Sequence, residues 1–119
     1  MARDLSYRFA GGRVGVLLLH GLCGTPAEMR FVASNLARSG YTVHCPQLAG
    51  HGGSEADIKA TRWQDWYRSA EVALAELRQE CDVVFVGGLS TGAVLSLMLA
   101  AKHPVQVQGT VLFAPTLWL

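Results

Sequence analysis

Ser90 lies between Gly88 and Gly92 in the stretch Gly88-Leu89-Ser90-Thr91-Gly92, with one apolar run before it and another after it. Serine is a poor strand residue, and glycine weakens strands and helix interiors alike. Three such residues at the join of two hydrophobic segments point to a backbone turn that only small side chains permit. The pattern G-x-S-x-G has a chemical use: a serine on a tight strand-to-helix turn holds its hydroxyl clear of the sheet, where it can attack an acyl carbon. The same turn aims the next backbone N–H, that of Thr91, at the space above Ser90. At a helix N-terminus, partial positive charge there favours a developing oxyanion. The plainer reading is a glycine-rich turn carrying a solvated serine; an apolar strand before it and an apolar helix after it favour the chemical one.

His20-Gly21-Leu22-Cys23-Gly24 is the second constellation. An acyl-transfer site needs another N–H facing the oxyanion, and a glycine-rich loop beside the nucleophile supplies one because its backbone can approach a substrate oxygen closely. Leu22 N–H is the candidate donor, with His20 and Gly21 as supporting members. Taken alone, the segment also reads as a turn ending a strand, with His20 as a hydrogen-bonded structural residue. Cys23 reads as a small packed residue rather than a second nucleophile. His20, Cys23, His44, Cys45 and His51 contain no C-x-x-C or H-x₃-H pair. No metal site is expected from them, and no cofactor is implied.

Positioning Ser90 beside His20, seventy positions away, requires a particular set of elements. VGVLLL (14–19) is a continuous apolar run suited to a strand buried on both faces. Thr25, Pro26 and Glu28 give an N-cap, a first-turn proline and a capping box. Met29, Val32, Ala33, Leu36 and Ala37 follow at helical spacing, and Gly40 is the stop. YTVHC (41–45) is a second strand, and 46–60 a long loop with room for short helical turns. A capping box of Thr61 with Gln64 opens a helix whose Trp63, Trp66, Ala70, Ala73, Leu74 and Leu77 share one face. The Trp63, Trp66 and Tyr67 cluster reads as core with an exposed edge, and only secondarily as a substrate wall. VVFVG (83–87) is a third strand, Thr91 to about His103 an apolar helix, and GTVLF (109–113) a fourth strand. Alternating strands and helices predict an α/β fold: a parallel sheet with right-handed crossovers and helices on both faces. Reactive groups then gather in loops at the carboxyl ends of the strands.

Composition narrows the function classes. The chain has 119 residues, half of them hydrophobic and 16% charged, which suits a single packed domain and argues against disorder. With 10 basic and 9 acidic residues, a net charge of +1 and no basic run, nucleic acid and anionic membrane surfaces lack electrostatic support as partners. Residues 83–101 carry no charge, but GGLSTG interrupts that run and a buried strand plus a buried helix explains it, so no transmembrane segment is expected. The short apolar run at 14–19 cannot serve as a signal-peptide core, and Cys23, Cys45 and Cys81 are an odd, scattered trio. Both features point to a reduced, cytoplasmic setting.

LLLHGLCGTPAEM, YTVHCPQLAGHGGS, VVFVGGLSTGAVLSLMLAAKHP and GTVLFAP together resemble the N-terminal half of an α/β-hydrolase, with a particular likeness to bacterial carboxylesterases related to monoacylglycerol lipases. The likeness runs from about Val14 to Pro115. It implies Ser90 as nucleophile and the N–H groups of Leu22 and Thr91 as oxyanion hole. It also implies a small ester as substrate, with a short or medium acyl chain or a monoacylglycerol. Gly50-His51-Gly52 resembles a loop that shapes the site, and Gln47 stands where many relatives carry Asp, a departure that bears on loop packing. In this family the carboxylate and the histidine that activate the serine both follow it. No Asp or Glu follows Ser90 here, and the one later histidine, His103, falls at a helix end. Residues 1–119 are therefore expected to be the N-terminal part of one α/β-hydrolase domain, truncated at the C-terminus and inactive alone. An uncovered last strand and the tail Leu117-Trp118-Leu119 would favour self-association. Two other functions fit the same residues: a non-catalytic remnant or interaction module, and an acyltransferase or perhydrolase on the same fold.

Overall fold

A computed structural model describes residues 3–113. Its elements are β1 (Tyr7–Phe9), β2 (Val14–Leu19), a 3₁₀ turn (Pro26–Met29), α1 (Arg30–Arg38), β3 (Thr42–Cys45), α2 (Glu55–Lys59), α3 (Trp63–Glu80), β4 (Val83–Leu89), α4 (Thr91–Lys102) and β5 (Gly109–Phe113). The strands form one sheet in the order β1-β3-β2-β4-β5. β2, β3, β4 and β5 are parallel, and β1 pairs with β3 antiparallel. The chain winds outward from β2 to β3, then returns across β2 to continue through β4 and β5. This reversal sits between β2 and β4, the adjacent strands whose register matches Leu19 to Gly88. In open α/β sheets the crevice at such a reversal is where ligands bind.

Side-chain alternation along β2 divides the core. Val16 and Leu18 pack with Met29, Ala33, Val43 and Cys45 on the face covered by α1. Leu17 and Leu19 pack with Leu74, Leu77, Leu95 and Leu99 from α3 and α4 on the other. The expected α/β layering with helices on both faces is therefore present, and the uncharged run at 83–101 resolves into β4 and α4. Among the described residues no helix is long and apolar enough to cross a membrane. On the α1 side, cover stops short of the sheet's far edge. Val111 and Phe113 of β5 stay 54% and 37% exposed, beside a groove of about 320 Å³ lined also by Val16, Leu18, Val32 and Phe85.

Four sequence expectations need correction. β1 is a strand the sequence pattern does not predict, because three residues, Tyr-Arg-Phe, carry too little periodicity. Thr25 does cap, accepting Ala27 N–H at 3.3 Å, but the segment opens as a 3₁₀ turn and Glu28 does not close a capping box. The box on α3 is set one residue later than Thr61 and Gln64: Arg62 is the N-cap, and Asp65 accepts its N–H at 2.9 Å. Thr61 instead donates to the Ile58 carbonyl and accepts from Trp66 Nε1. Trp63 lies off the buried face of α3, half exposed, and Tyr67 takes its place in the core. Gly40 ends α1 as expected, at φ +99°, with its own N–H on Ala37 and that of Tyr41 on Leu36. That pair of bonds satisfies carbonyls the helix end would leave unpaired. The tail Leu117 to Leu119 lies outside the described residues.

Candidate active site

β4 ends at Leu89 and α4 begins at Thr91, so one residue makes the whole turn. That residue is Ser90, at φ +56° and ψ −117°. Among the described residues only Cys23 shares a positive φ without being glycine. Such backbone geometry costs about 1–3 kcal/mol and persists only where the surroundings over-determine it. Here they do. Ser90 N–H donates to the Phe113 carbonyl at 2.9 Å, and its own carbonyl accepts from Ala93 and Val94 N–H at 3.0 and 3.3 Å. The two glycines are required for separate reasons. A Cβ at Gly88 would lie 2.3 Å from the carbonyl of Gly92, so the first turn of α4 could not sit on β4. A Cβ at Gly92 would lie 2.1 Å from the Leu19 carbonyl oxygen and 2.6 Å from that of His20, so α4 could not approach the end of β2. Thr91 is the first residue of α4, where N–H groups have no partner within the helix.

The loop after β2 meets this turn directly. A Cβ placed on Gly21 would be 3.5 Å from Ser90 Cβ and 3.4 Å from the Leu89 carbonyl oxygen. His20 is fully buried, and its Nε2 accepts Leu48 N–H at 3.1 Å. Its proton is therefore on Nδ1, which donates to the Gly21 carbonyl at 2.8 Å. The same carbonyl accepts Gly24 N–H at 3.0 Å, closing a four-residue turn with Cys23 at φ +66° in its third position. No cis peptide occurs among the described residues, and a trans peptide sets its N–H opposite its C=O. With the Gly21 carbonyl held toward His20 and Gly24, the Leu22 N–H of that same peptide unit points the other way. Leu22 itself is 45% exposed.

The four histidines lie in different settings, and two buried ring nitrogens, His44 Nδ1 and His51 Nε2, meet no hydrogen-bond partner among the described residues. Burial pushes His20 below the usual imidazole range, and with both ring nitrogens bonded it has no site for a substrate proton. His51 is buried, bonded through Nδ1 to the Ala49 carbonyl, and its ring stacks edge-on between His20 and Trp66 at 5.0 and 5.7 Å. It thus supports the loop after β2 from beneath. His44 lies within β3, and burial holds its pKa low as well. His103 caps the far end of α4, about 20 Å from Ser90 at the helical rise, where its Nε2 meets Glu71 Oε2 at 2.9 Å. Gly50 and Gly52 both lie at positive φ in the loop after β3, whose Leu48 N–H meets His20. Gln47 ties that loop to the chain start, its side chain accepting Leu5 N–H at 3.1 Å and donating to the Arg3 carbonyl. Among the described residues no group of three or more His, Cys, Asp or Glu could hold a metal ion.

A further contact at this loop is not predicted by local pattern. Glu28 sends Oε1 back to the loop after β2, accepting Gly21 N–H at 3.0 Å. Local pattern assigned it to helix capping, and nothing in the spacing of Glu28 from Gly21 distinguishes the two uses.

The comparisons with known proteins agree with this fold. The family model described as serine aminopeptidase S33 matches residues 12–119. A thermostable monoacylglycerol lipase from Bacillus sp. (strain H-257) is 48% identical over 93 residues, covering 78% of this chain and 37% of the lipase. A carboxylesterase from Bacillus subtilis (strain 168) is 36% identical over 101 residues, covering 84% of this chain and 41% of the esterase. A solved structure from work on LipS and LipT, two metagenome-derived lipolytic enzymes, superposes at TM-score 0.92 with 38% identity, covering 95% of this chain and 46% of that one. The chain thus spans less than half the length of each of these relatives. With the family model matching nearly the whole chain and the sheet superposing on a lipolytic enzyme, this protein belongs to the S33 family of α/β-hydrolases.

Proposed function

We propose that Ser90 is the nucleophile of a carboxylic ester hydrolase acting on short or medium acyl esters or monoacylglycerols. The observation that carries this reading is the one-residue strand-to-helix turn at φ +56°, set against the loop after β2. In this mechanism Ser90 Oγ attacks the ester carbonyl carbon and a base takes its proton. The tetrahedral oxyanion accepts hydrogen bonds from Leu22 and Thr91 N–H. Collapse expels the alcohol and leaves an acyl-serine, which water then cleaves by the same steps in reverse roles. The fixed Gly21–Leu22 peptide plane supports the first donor, and the start of α4 supports the second. Preorganised donors of this kind are each worth about 10²–10³ in kcat.

The base and the carboxylate that orients it are proposed to come from polypeptide beyond these 119 residues. His20 has both ring nitrogens bonded, His103 pairs with Glu71 at the far end of α4, and no carboxylate follows Ser90 in the sequence. Residues 1–119 then act as the N-terminal part of one α/β-hydrolase domain, inert toward esters by themselves. The three unpaired thiols support a reducing, cytoplasmic location. The partly bare β5 edge supports self-association of the isolated chain. The direct test is fluorophosphonate labelling of the full-length hydrolase containing this chain. Labelling is expected in the parent and absent in Ser90→Ala. Undiminished labelling of Ser90→Ala rejects the assignment.

A further inference from the structure

We propose that Glu28 is a positioning residue for the oxyanion loop, holding the Gly21–Leu22 peptide in the orientation that presents Leu22 N–H to the substrate. The inference rests on the reading of Ser90 and Leu22 above and adds to it the group that fixes the donor. Three bonds define the attitude of Gly21. Its carbonyl accepts from His20 Nδ1–H at 2.8 Å and from Gly24 N–H at 3.0 Å, and its N–H donates to Glu28 Oε1 at 3.0 Å. The first two come from within the loop or directly beneath it. The third is the only one of these three that ties the loop to the segment following it, the 3₁₀ turn Pro26–Met29.

A tie is needed at this point. Gly21 and Gly24 both lack a Cβ, so the loop's own backbone resists rotation weakly. Gly21 also lies against the Ser90 turn, so a change in its attitude moves the candidate donor relative to the nucleophile. The loop is built around the carboxylate as well as bonded to it. A Cβ on Gly24 would lie 2.2 Å from Glu28 Oε1 and 2.4 Å from its carboxyl carbon, so glycine at 24 makes room for the side chain of residue 28. The carboxylate's charge opposes an oxyanion nearby, so its use here is as a hydrogen-bond acceptor. An uncharged acceptor of the same shape would serve as well or better.

That distinction sets the test, carried out on the full-length hydrolase with a soluble chromogenic ester. Glu28→Ala is expected to lower kcat about 10–100-fold with KM within about twofold, since a donor displaced by roughly 1 Å costs on that order. Glu28→Gln keeps the acceptor and is expected to restore kcat to the parent value or above it. Gly24→Ala, which pushes the carboxylate off Gly21, is expected to reproduce the Glu28→Ala loss, and the double variant to be no worse than either single one. Melting temperatures of the Glu28 variants should stay together, which separates positioning from a general loss of fold. Glu28→Ala at the parent rate, or Glu28→Gln as slow as Glu28→Ala, overturns the proposal. Turnover surviving in Ser90→Ala would instead overturn the nucleophile assignment on which it rests.

Discussion

Substituting alanine for Gly92 tests whether the junction of β2, β4 and α4 sets both stability and reactivity. The added Cβ would lie 2.1 Å from the Leu19 carbonyl oxygen, where ordinary contact begins at 3.4 Å, so a gap of about 1.3 Å must open (3.4 less 2.1). The opposing atoms are main-chain carbonyls at the end of β2, so no side-chain rotation relieves the clash, and α4 must move off the sheet. Overpacking of this kind costs about 1–3 kcal/mol, and two rigid main-chain carbonyls, of Leu19 and His20, place Gly92→Ala near the upper end. The same movement carries Thr91 N–H and Ser90 away from the loop after β2. A displacement of roughly 1 Å at a reacting centre costs about 10²-fold in rate. Urea denaturation of the full-length hydrolase should therefore show a loss near 3 kcal/mol. Fluorophosphonate labelling, measured well below the transition, should slow by about two orders of magnitude. A variant within about 0.5 kcal/mol of the parent, the scale of a neutral surface change, with an unchanged labelling rate would refute the argument that glycine at 92 sets the approach of α4 to β2.

Two further outcomes follow from the buried histidines and the bare sheet edge. Burial lowers the folded-state pKa of His20 and His44, so below about pH 6.5 the unfolded chain binds protons that the folded chain refuses. Stability is complete above that pH and falls beneath it, by up to about 1.4 kcal/mol per pH unit for each histidine; urea midpoints that stay flat between pH 7.5 and 5.5 would contradict this. For the isolated 119-residue chain, sedimentation should report concentration-dependent self-association that Val111→Lys suppresses, because Val111 is 54% exposed on the last described strand. A parent chain that sediments as a monomer at all concentrations would rule it out.

Local chemistry made much of this molecule legible in one dimension. VGVLLL reads as a strand buried on both faces and VVFVG as a further strand, and G-x-S-x-G between an apolar strand and an apolar helix marks a sharp turn. Thr25, Pro26 and Gly40 each act through the backbone of their own neighbourhood, so their roles carried over into the structure. Where a residue's partner lies outside its own segment, local pattern had no hold on it. β1 exists only because β3 offers an edge, and Tyr-Arg-Phe alone is too short to announce it. Glu28 was matched to the nearest helix start, yet its acceptor serves Gly21 seven residues back, a choice made by how the 3₁₀ turn packs against the loop. The state of His20 is set by neighbours its own segment does not show: Leu48 N–H claims Nε2, and the proton left on Nδ1 goes to Gly21. Sequence determined which backbone segments could exist and where the chain could bend sharply, because those depend on side-chain size and polarity within a few residues. Tertiary structure alone decided which hydrogen-bonding groups face one another across seventy residues, because that depends on the order of strands in the sheet and the reversal between β2 and β4.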